Sequence, residues 1–574
     1  MRKIGVLALY LNCMHLYAGE CFLSSTDVIK ETLQNQWSIQ LSEQQTEVEV
    51  GLLQQAAGAF DTQLNSSFSR LYQVDLQSPL GIKSDFVGKF TQTNVMLQKM
   101  ARIGTTYTLD YANVNTVNPF TINLEPPRTD NTVVSFSINQ PLLRNLFYSP
   151  QTTFEKTQFL NYEASIYQNV QNIADAVAAS LTAYWQVVGN KKILWALIEQ
   201  EKELTRFTEY ARLLVEENQQ GSASLFQPLA NLANAKVSRL QAEQNVRTAY
   251  NSLLFAMGKA PPCEDENIYE YVEFEAFPSL KNLPLLDECC CQNYLSLIPK
   301  QRMDVVAAYL LEDVAALHLQ SAMNAKLPQL NLVASADLLN THSGPRRSAL
   351  YQSFPTQFKP EKDYSIGVTF SYPLCNDTAK GLVKQNKAFL FQAQINTNQL
   401  ESQIVTNFKI AFTLNNALVK QLAEARKASK ESRAALDAEV IKLQVGLSSW
   451  FDVLGLSNDA VASQIREYDI EILFVQNLIQ LHLLVGDLVS WDGHMNCMDI
   501  SDFKQFLCEN THNLSFGLSS SDSEEFTQRS LGFSAEANDQ RPFAKQKSTR
   551  GASKVPENVG EKPKTQVQIR LTDG

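Results

Sequence analysis

The chain lacks an excess of positive charge, a long apolar run beyond its first residues, and any recognisable catalytic motif. Its 60 acidic residues outnumber its 49 basic ones, for a formal net charge of −11. This balance argues against a nucleic-acid partner, because phosphate binding needs clustered Lys and Arg. No run of about 18 apolar residues follows the N-terminus, so we expect no transmembrane helix. A chain of this kind could span a membrane only as a closed β-barrel.

Signatures of catalysis and of metal binding are also missing. Neither a glycine-rich phosphate loop nor a nucleophile elbow occurs, so we expect no enzyme and no cofactor. The six histidines, including His318 and His482, are scattered through helical patterns. The nine cysteines include the triplet 289–291, whose spacing fits neither a disulfide framework nor a zinc site. In an oxidising compartment the triplet could pair with Cys263, and Cys497 with Cys508, and the residues leave both pairings open.

The N-terminus has the pattern of a secretory signal peptide. A basic start at residues 1–3 precedes the apolar run 4–11, and the small residues Ala18 and Gly19 follow. We expect cleavage near residue 19, with an amphipathic or buried N-terminus as the alternative.

The chain contains a long internal duplication, in which four landmarks recur in the same order at similar separations. The matching pairs are 59–69 with 325–335, 134–142 with 366–374, 221–226 with 446–451, and 257–258 with 485–486. This order predicts a first repeat over residues 20–258, a linker over 259–286 and a second repeat over 287–487.

Each repeat is expected to contain a very long helix followed by a tight turn and a returning helix. Residues 151–217 contain one glycine and no proline, and residues 382–445 contain neither. At 1.5 Å per residue each helix would run about 100 Å, which indicates a coiled-coil architecture. The turns fall at Gly221 and Gly446, and the returning helices cover 225–258 and 450–486. Helices over 26–57 and 287–325 could stack end to end on them.

Strand segments show period-two alternation over 103–111, 330–338 and 365–372. Apolar and polar faces of this length suit a transmembrane barrel, although a soluble sheet with one wet face has the same pattern. The landmarks imply two strands per half and four per chain. Four strands cannot close a barrel, so the chain would have to oligomerise to span a membrane.

Taken together, these landmarks resemble the TolC-like outer membrane efflux protein family over nearly all of residues 26–487. The residues that carry the resemblance are Ala59-Phe60-Asp61, Leu327-Pro328-Gln329-Leu330, Gln140-Pro141-Leu142, Tyr372-Pro373-Leu374 and Val445-Gly446-Leu447-Ser448. The resemblance implies an α+β membrane protein: a homotrimer with a 12-stranded β-barrel in the outer membrane, four strands per chain, continued by an α-helical tunnel through the periplasm. It also implies transport without catalysis.

The resemblance further implies partners and sites. A periplasmic adaptor (membrane fusion) protein would dock on the tips at Gly221, Ser222, Val445, Gly446, Leu447 and Ser448, and an inner membrane RND or ABC pump would supply energy. Asp452 matches an aspartate at the tunnel entrance, where three copies would form a carboxylate ring favouring cations. The alternative role of Asp452 is a helix N-terminal carboxylate. Gly455 and Ser448 replace a second aspartate and an arginine of the family, which puts its gate-locking ion pairs in doubt.

Beyond residue 487 the pattern changes. Residues 488–513 are expected to form a segment around the middle of the tunnel, and residues 514–574 are polar enough to be disordered. The expected function is an export duct for small molecules or, through type I secretion, for proteins. A periplasmic coiled-coil scaffold or adhesin is the alternative, and it leaves the duplicated strands unexplained.

Overall fold

The computed structural model describes residues 21–75, 86–117, 128–219, 221–260, 272–275, 295, 298, 301–344 and 361–488, with short pieces at 490–491, 497–499 and 568–570. The predicted signal peptide 1–19 lies outside these residues. Cys263, the cysteine triplet and Cys508 also lie outside them. The linker and the segment 488–513 are described only in part, and their predicted roles stay predictions.

Two very long helices dominate the described fold, as the scarcity of glycine and proline predicts. The helices are α1 Ser25–Asn35, α2 Trp37–Ala57, α3 Pro150–Glu216, α4 Phe226–Ala256, α5 Met303–Ala325, α6 Asp377–Gln444 and α7 Trp450–Val485. With 67 and 68 residues, α3 and α6 each run about 100 Å. Ser149 caps α3 by accepting a hydrogen bond from the Thr152 amide, and Pro150 fits the first turn. Helix α6 begins five residues before the predicted 382.

The shorter helices pack along the two long helices. Helices α2 and α4 pack along one side of α3, while α5 and α7 lie between α3 and α6. The central core is formed by α1, α2, α3, α4, α6 and α7 around the buried Tyr184 and Trp185. Apolar residues recur at three- and four-residue steps along α6, and they are buried except for Leu400, which is half-buried, and Leu414, which is exposed: Leu400, Ile404, Phe408, Ala411, Leu414, Leu418, Leu422 and Ala425.

Both predicted N-terminal helices are interrupted, so the uninterrupted spans 26–57 and 287–325 are wrong. Gln36 separates α1 from α2 with ψ of 124°, and Arg302 precedes α5 with ψ of 123°. The break at Gln36 has no local proline or glycine, whereas Pro299 stands three residues before Arg302. Each break lies where the end of a returning helix meets the chain, because Gly258 contacts Asn35 and Gln36, and Gly486 contacts Gln301 and Arg302.

The main sheet has six strands rather than the predicted four. Its strands are β2 Gln63–Asp75, β3 Phe86–Met100, β4 Thr106–Val117, β5 Arg128–Pro141, β7 Gln329–Gly344 and β8 Glu361–Ser371, in the order β2-β3-β4-β5-β7-β8 with every neighbour antiparallel. Within the described residues, the first repeat therefore supplies four strands and the second supplies two. The prediction of four strands per chain is wrong.

The extra strands β3 and β4 form a hairpin inserted into the first repeat between β2 and β5. The predicted strand 103–111 in fact begins at Thr106, because residues 101–105 form the turn of this hairpin. Gly104 adopts φ of +93° there. A side chain on it would overlap the Asn145 carbonyl oxygen, 2.5 Å from the Cβ position, so glycine is required.

Short strands pair parts of the chain outside the two repeats. In the predicted linker, β6 Val272–Phe274 lies parallel to β1 Cys21–Leu23. Near the C-terminus, β9 Ser490–Trp491 and β11 Gln568–Arg570 both pair with β10 Cys497–Asp499. Residues 568–570 thus depart from the predicted disorder of 514–574, consistent with the strand-like alternation of Val567, Ile569 and Leu571.

Within the described residues, α7 is long and apolar enough to cross a membrane. Length and composition do not distinguish a spanning helix from a core helix, and half of its most apolar window is buried inside the chain.

Candidate channel wall and helix tips

Near the helices, the opposite faces of the six-stranded sheet differ in polarity. Across the strands, one row of paired residues is apolar: Leu64, Leu97, Leu109, Phe136, Ala336 and Tyr364. The adjacent row on the other face is polar: Gln63, Gln98, Thr108, Ser137, Ser335 and Ser365. The predicted alternation is therefore confirmed, and it is carried through the inserted hairpin.

Side-chain exposure shows which face is convex. In the inner strands Leu97, Leu109 and Phe136 are exposed, whereas the neighbouring Gln98 and Thr108 are half-buried. In the rows nearest the helices, the sheet therefore has its polar face inside and its apolar face outside. A sheet in water covers its apolar face with other elements. These apolar rows are open among the described residues, as in the wall of a membrane barrel, whereas Asn113 and Thr132, further along the same face, are polar and buried.

Hydroxyl and carboxylate groups join the strands on the polar face. Ser335 shares a hydrogen bond of 2.8 Å with Ser365 and donates one of 3.2 Å to Asp337. Ser135 on β5 also donates to Asp337. These bonds link β5, β7 and β8 on the side that would line a lumen.

The two predicted turns lie at the same end of the helices. Trp450, at the start of α7, packs its ring 5.7 Å from that of Phe207 and 4.9 Å from that of Tyr210, near the end of α3. Leu204, Ala235 and Leu454 join the adjoining helices in a small core. The structure thus brings both turns together, far along the helices from the sheet.

The tips end in similar caps built on different residues. In the second turn Gly446 adopts φ of +75°, and the Leu447 amide bonds to the Lys442 carbonyl. In the first turn the left-handed residue is Asn218, with φ of +59°, and the Gln219 amide bonds to the Leu214 carbonyl. Both are Schellman motifs.

Gly221 has φ of −73° and precedes the short 3₁₀ helix that begins at Ser222. It is therefore not the conformational counterpart of Gly446, although it lies in the same reversal. Asparagine tolerates the left-handed region, so a glycine search alone misses Asn218.

The predicted docking residues of the second turn are strongly exposed. Val445 is 68% and Leu447 is 79% exposed. Ser448 instead bonds to the Glu439 carboxylate. Lys442 and Ser448, in that order, lower the pKa of Glu439 below its usual value through these hydrogen bonds. The turn therefore exposes the apolar Val445 and Leu447 and is held by the hydrogen bond between Ser448 and Glu439.

Asp452 lies in the first turn of α7 and is exposed. Its amide donates to Ser449 Oγ at 3.3 Å, and Ser449 Oγ donates to Asp452 Oδ2 at 2.5 Å. This geometry gives Asp452 the helix-terminal role considered above. It also leaves the carboxylate in solvent near the tip.

Sequence reasoning missed an ion cluster that joins three helices. Glu471 on α7 accepts from Lys192 on α3 at 2.8 Å and from Arg426 on α6 at 2.9 Å. Charged residues on helices far apart in sequence give no local signal of such a contact. In the part of the chain that the structure describes, no group of three or more His, Cys, Asp or Glu is placed to hold a metal ion.

The curved two-faced sheet, continued by helices of about 100 Å, defines the class: this is the fold of an outer membrane channel subunit. No protein-family model matches the sequence, and no curated protein is similar enough to match it. Solved channel structures do match. The Campylobacter jejuni CmeC outer membrane channel gives a TM-score of 0.60 at 13% identity, covering 81% of this chain and 85% of that one.

Two further outer membrane proteins of known structure also match the fold. The outer membrane channel OprN gives 0.59 at 13% identity, covering 81% and 90% of the two chains. VceC from Vibrio cholerae gives 0.58 at 15% identity, covering 80% and 96%. At these identities the likeness establishes the fold. The resemblance to the TolC-like channels is thereby confirmed at the level of architecture.

Proposed function

We propose that this chain is the subunit of a trimeric outer membrane channel, the exit duct of a tripartite export system. The observation that carries the proposal is the sheet whose rows nearest the helices have an uncovered apolar outer face and a polar inner face, joined to helices long enough to cross the periplasm. A single sheet with open edges does not satisfy its backbone in lipid, so copies of the chain must complete the wall.

The duct would act by passage rather than by chemistry. Its polar concave face offers hydroxyls, amides and carboxylates to solutes, which suits small molecules or secreted proteins. A pump in the inner membrane would choose the cargo, and an adaptor would join it to the tips at Gly221, Ser222, Val445, Gly446, Leu447 and Ser448.

Asp452 would act at the narrow end of the duct. Three copies of this exposed carboxylate around a threefold axis would favour cations over anions. Its hydrogen bond with Ser449 fixes the carboxylate at the start of α7. The same residue would then both begin the helix and set the charge of the entrance.

The test is the single-channel conductance of detergent-purified protein in a planar bilayer. We expect stable, cation-preferring steps for the wild type and weaker cation preference for Asp452→Ala. Asp459→Ala removes an equal charge from an exposed position further along α7 and should leave selectivity unchanged. Insensitivity to Asp452→Ala would keep the duct and remove its entrance residue. A protein that washes off membranes without detergent and gives no conductance would favour the coiled-coil scaffold.

A further inference from the structure

The inserted hairpin β3–β4 is a full member of the sheet. It pairs with β2 from Gln63 to Asp75 and with β5 from Arg128 to Asn139. Its outward residues Leu97 and Leu109 continue the apolar row, and its inward residues Gln98 and Thr108 continue the polar row. A hairpin lying apart from the wall would have no reason to preserve both rows.

The turn of the hairpin is fixed to the base of the helices. Arg102 makes a two-pronged ion pair with Glu155 on α3, with nitrogen–oxygen distances of 2.7 and 2.8 Å. Thr152 on α3 donates to the Arg102 carbonyl at 2.9 Å. Gly104 lies directly against the Asn145 carbonyl. These contacts hold the hairpin at the junction where the sheet meets the helices.

Both outer strands of the sheet are open to a further strand. Described side chains of β2, from 63 to 72, and all those of β8 are exposed on both faces. Soluble proteins shorten or block such edges. Here β8 is 11 residues long and presents Tyr364, Ile366, Val368 and Phe370 outward. With six strands, β8 of one copy runs antiparallel to β2 of the next, so copies can join without changing the pattern.

We propose that the hairpin widens the barrel: three copies, each with six strands, close an eighteen-stranded wall by pairing β8 of one copy with β2 of the next. This inference rests on the proposed trimeric channel. Barrel diameter grows roughly linearly with strand number, so the lumen would be about one and a half times as wide as that of a twelve-stranded barrel. Barrels of 16–18 strands enclose an aqueous channel. The exit would then admit broad hydrated cargo, and the helix tips would set the size limit.

Two variants on one strand test whether the hairpin faces lipid. Leu109→Arg would place a charge in the apolar band, and Thr108→Arg would place the same charge on the polar face. We expect Leu109→Arg to abolish recovery of the trimer from outer membranes, and Thr108→Arg to retain it, because lipid-facing charge destabilises a barrel and lumen-facing charge is tolerated. Equal recovery of both trimers would overturn the inference.

Electron cryomicroscopy of the wild-type oligomer in lipid nanodiscs gives the direct strand count. We expect three subunits and eighteen strands. A trimer closed by twelve strands, with the hairpin outside the wall, would overturn the wide barrel and leave the proposed channel intact. A protein that forms no trimer would overturn both. A third variant lacking residues 76–117 provides the control, because Leu64 and Phe136 share one row and β2 could pair with β5 directly. It should form a trimer with twelve strands.

Discussion

Gly258 and Gly486 occupy equivalent positions in the two halves of the chain, and each lies against the break that precedes a shorter helix. Both have left-handed backbones, with φ of +76° and +86°. Their surroundings differ. A Cβ on Gly258 would stand 2.3 Å from the Asn35 carbonyl oxygen, whereas one on Gly486 would stand 3.3 Å from that of Gln301. The first junction is therefore packed backbone to backbone, whereas at the second a methyl group would need its neighbours to shift by only a few tenths of an ångström.

Substitution of the two glycines by alanine should separate the cost of a left-handed backbone from the cost of steric overlap. Gly486→Ala should cost about 1–2 kcal/mol, the penalty of a left-handed alanine. Gly258→Ala adds backbone overlap and should cost roughly 2–5 kcal/mol in total. Gly51→Ala, in the open middle of α2, should be neutral or stabilising. Denaturant unfolding of the three variants gives the comparison. Equal losses for Gly258→Ala and Gly486→Ala would contradict the packing at Asn35.

The long helices could be predicted because their signal is local. Residues 151–217 and 382–445 hold almost no helix-breaking residues, and the helices end within one residue of the predicted positions. The break at Gln36 could not be predicted in this way, because glutamine does not disfavour a helix and the end of another helix packs against this point. Tertiary contact overrides propensity there. The break at Arg302 does have a local signal, because Pro299 stands three residues before it.

The hairpin β3–β4 was not predicted for a different reason. A duplication reveals only what both halves share, and among the described residues β3–β4 occurs in the first half alone. The strand predicted over 103–111 corresponds to β4, whereas β3 alternates weakly, because Thr91 and Thr93 stand where Val95 and Leu97 stand further along the same face. At the tips, Leu447 and Gly446 were correctly placed in a turn, while Asn218 was missed because its left-handed role needs no glycine.

Loss of the Glu471 carboxylate should lower the stability of the packing of α3, α6 and α7. The carboxylate is buried between Lys192 and Arg426, which are about one-third exposed. Removing one partner of a buried ion pair costs 3–5 kcal/mol, and solvent at the two cations reduces this, so Glu471→Gln should cost about 2 kcal/mol. The measurement is thermal or denaturant unfolding.

The control for that variant is Glu203→Gln. Glu203 pairs with Arg433, which is half exposed, at 3.3 Å, and its loss should cost less than about 1 kcal/mol. If both glutamine variants unfold alike, the three-helix cluster contributes no more than a surface pair.

Asp175, on α3, should make the stability of the helical domain depend on pH. Burial raises the pKa of its carboxyl above the usual 3.8, and the hydrogen bond from Gln171 and the charge of Arg302 act in the opposite direction. A carboxyl whose pKa is raised on folding destabilises the folded chain above the folded-state pKa, and this penalty fades as the pH falls toward 3.8. Asp175→Asn should therefore raise Tm at pH 7, with a gain that shrinks on acidification.

Glu439→Gln should show the opposite sign, because the folded chain lowers the pKa of that carboxyl. Its stabilising effect is present above the usual 4.5 and is lost as the pH falls through the folded-state value. The glutamine variant should thus have a lower Tm than the wild type near neutral pH, with the difference fading in acid.

For the Asp175 prediction, parallel curves of Tm against pH for Asp175→Asn and wild type would contradict the burial of Asp175.

Leu447 offers the sharpest test of the docking tip. Its side chain is mostly in solvent, so Leu447→Asp removes little packing and should change stability by less than about 0.5 kcal/mol. An adaptor that covers this leucine would instead face a desolvated carboxylate, which typically costs several kcal/mol at an interface. We therefore expect dye export by cells carrying Leu447→Asp to fall to the level of a null strain, with the amount of trimer and its conductance unchanged. Leu447→Met keeps an apolar tip and should retain export. Full export by Leu447→Asp would place the adaptor contact elsewhere, whereas loss of the trimer would assign Leu447 to assembly of the rods.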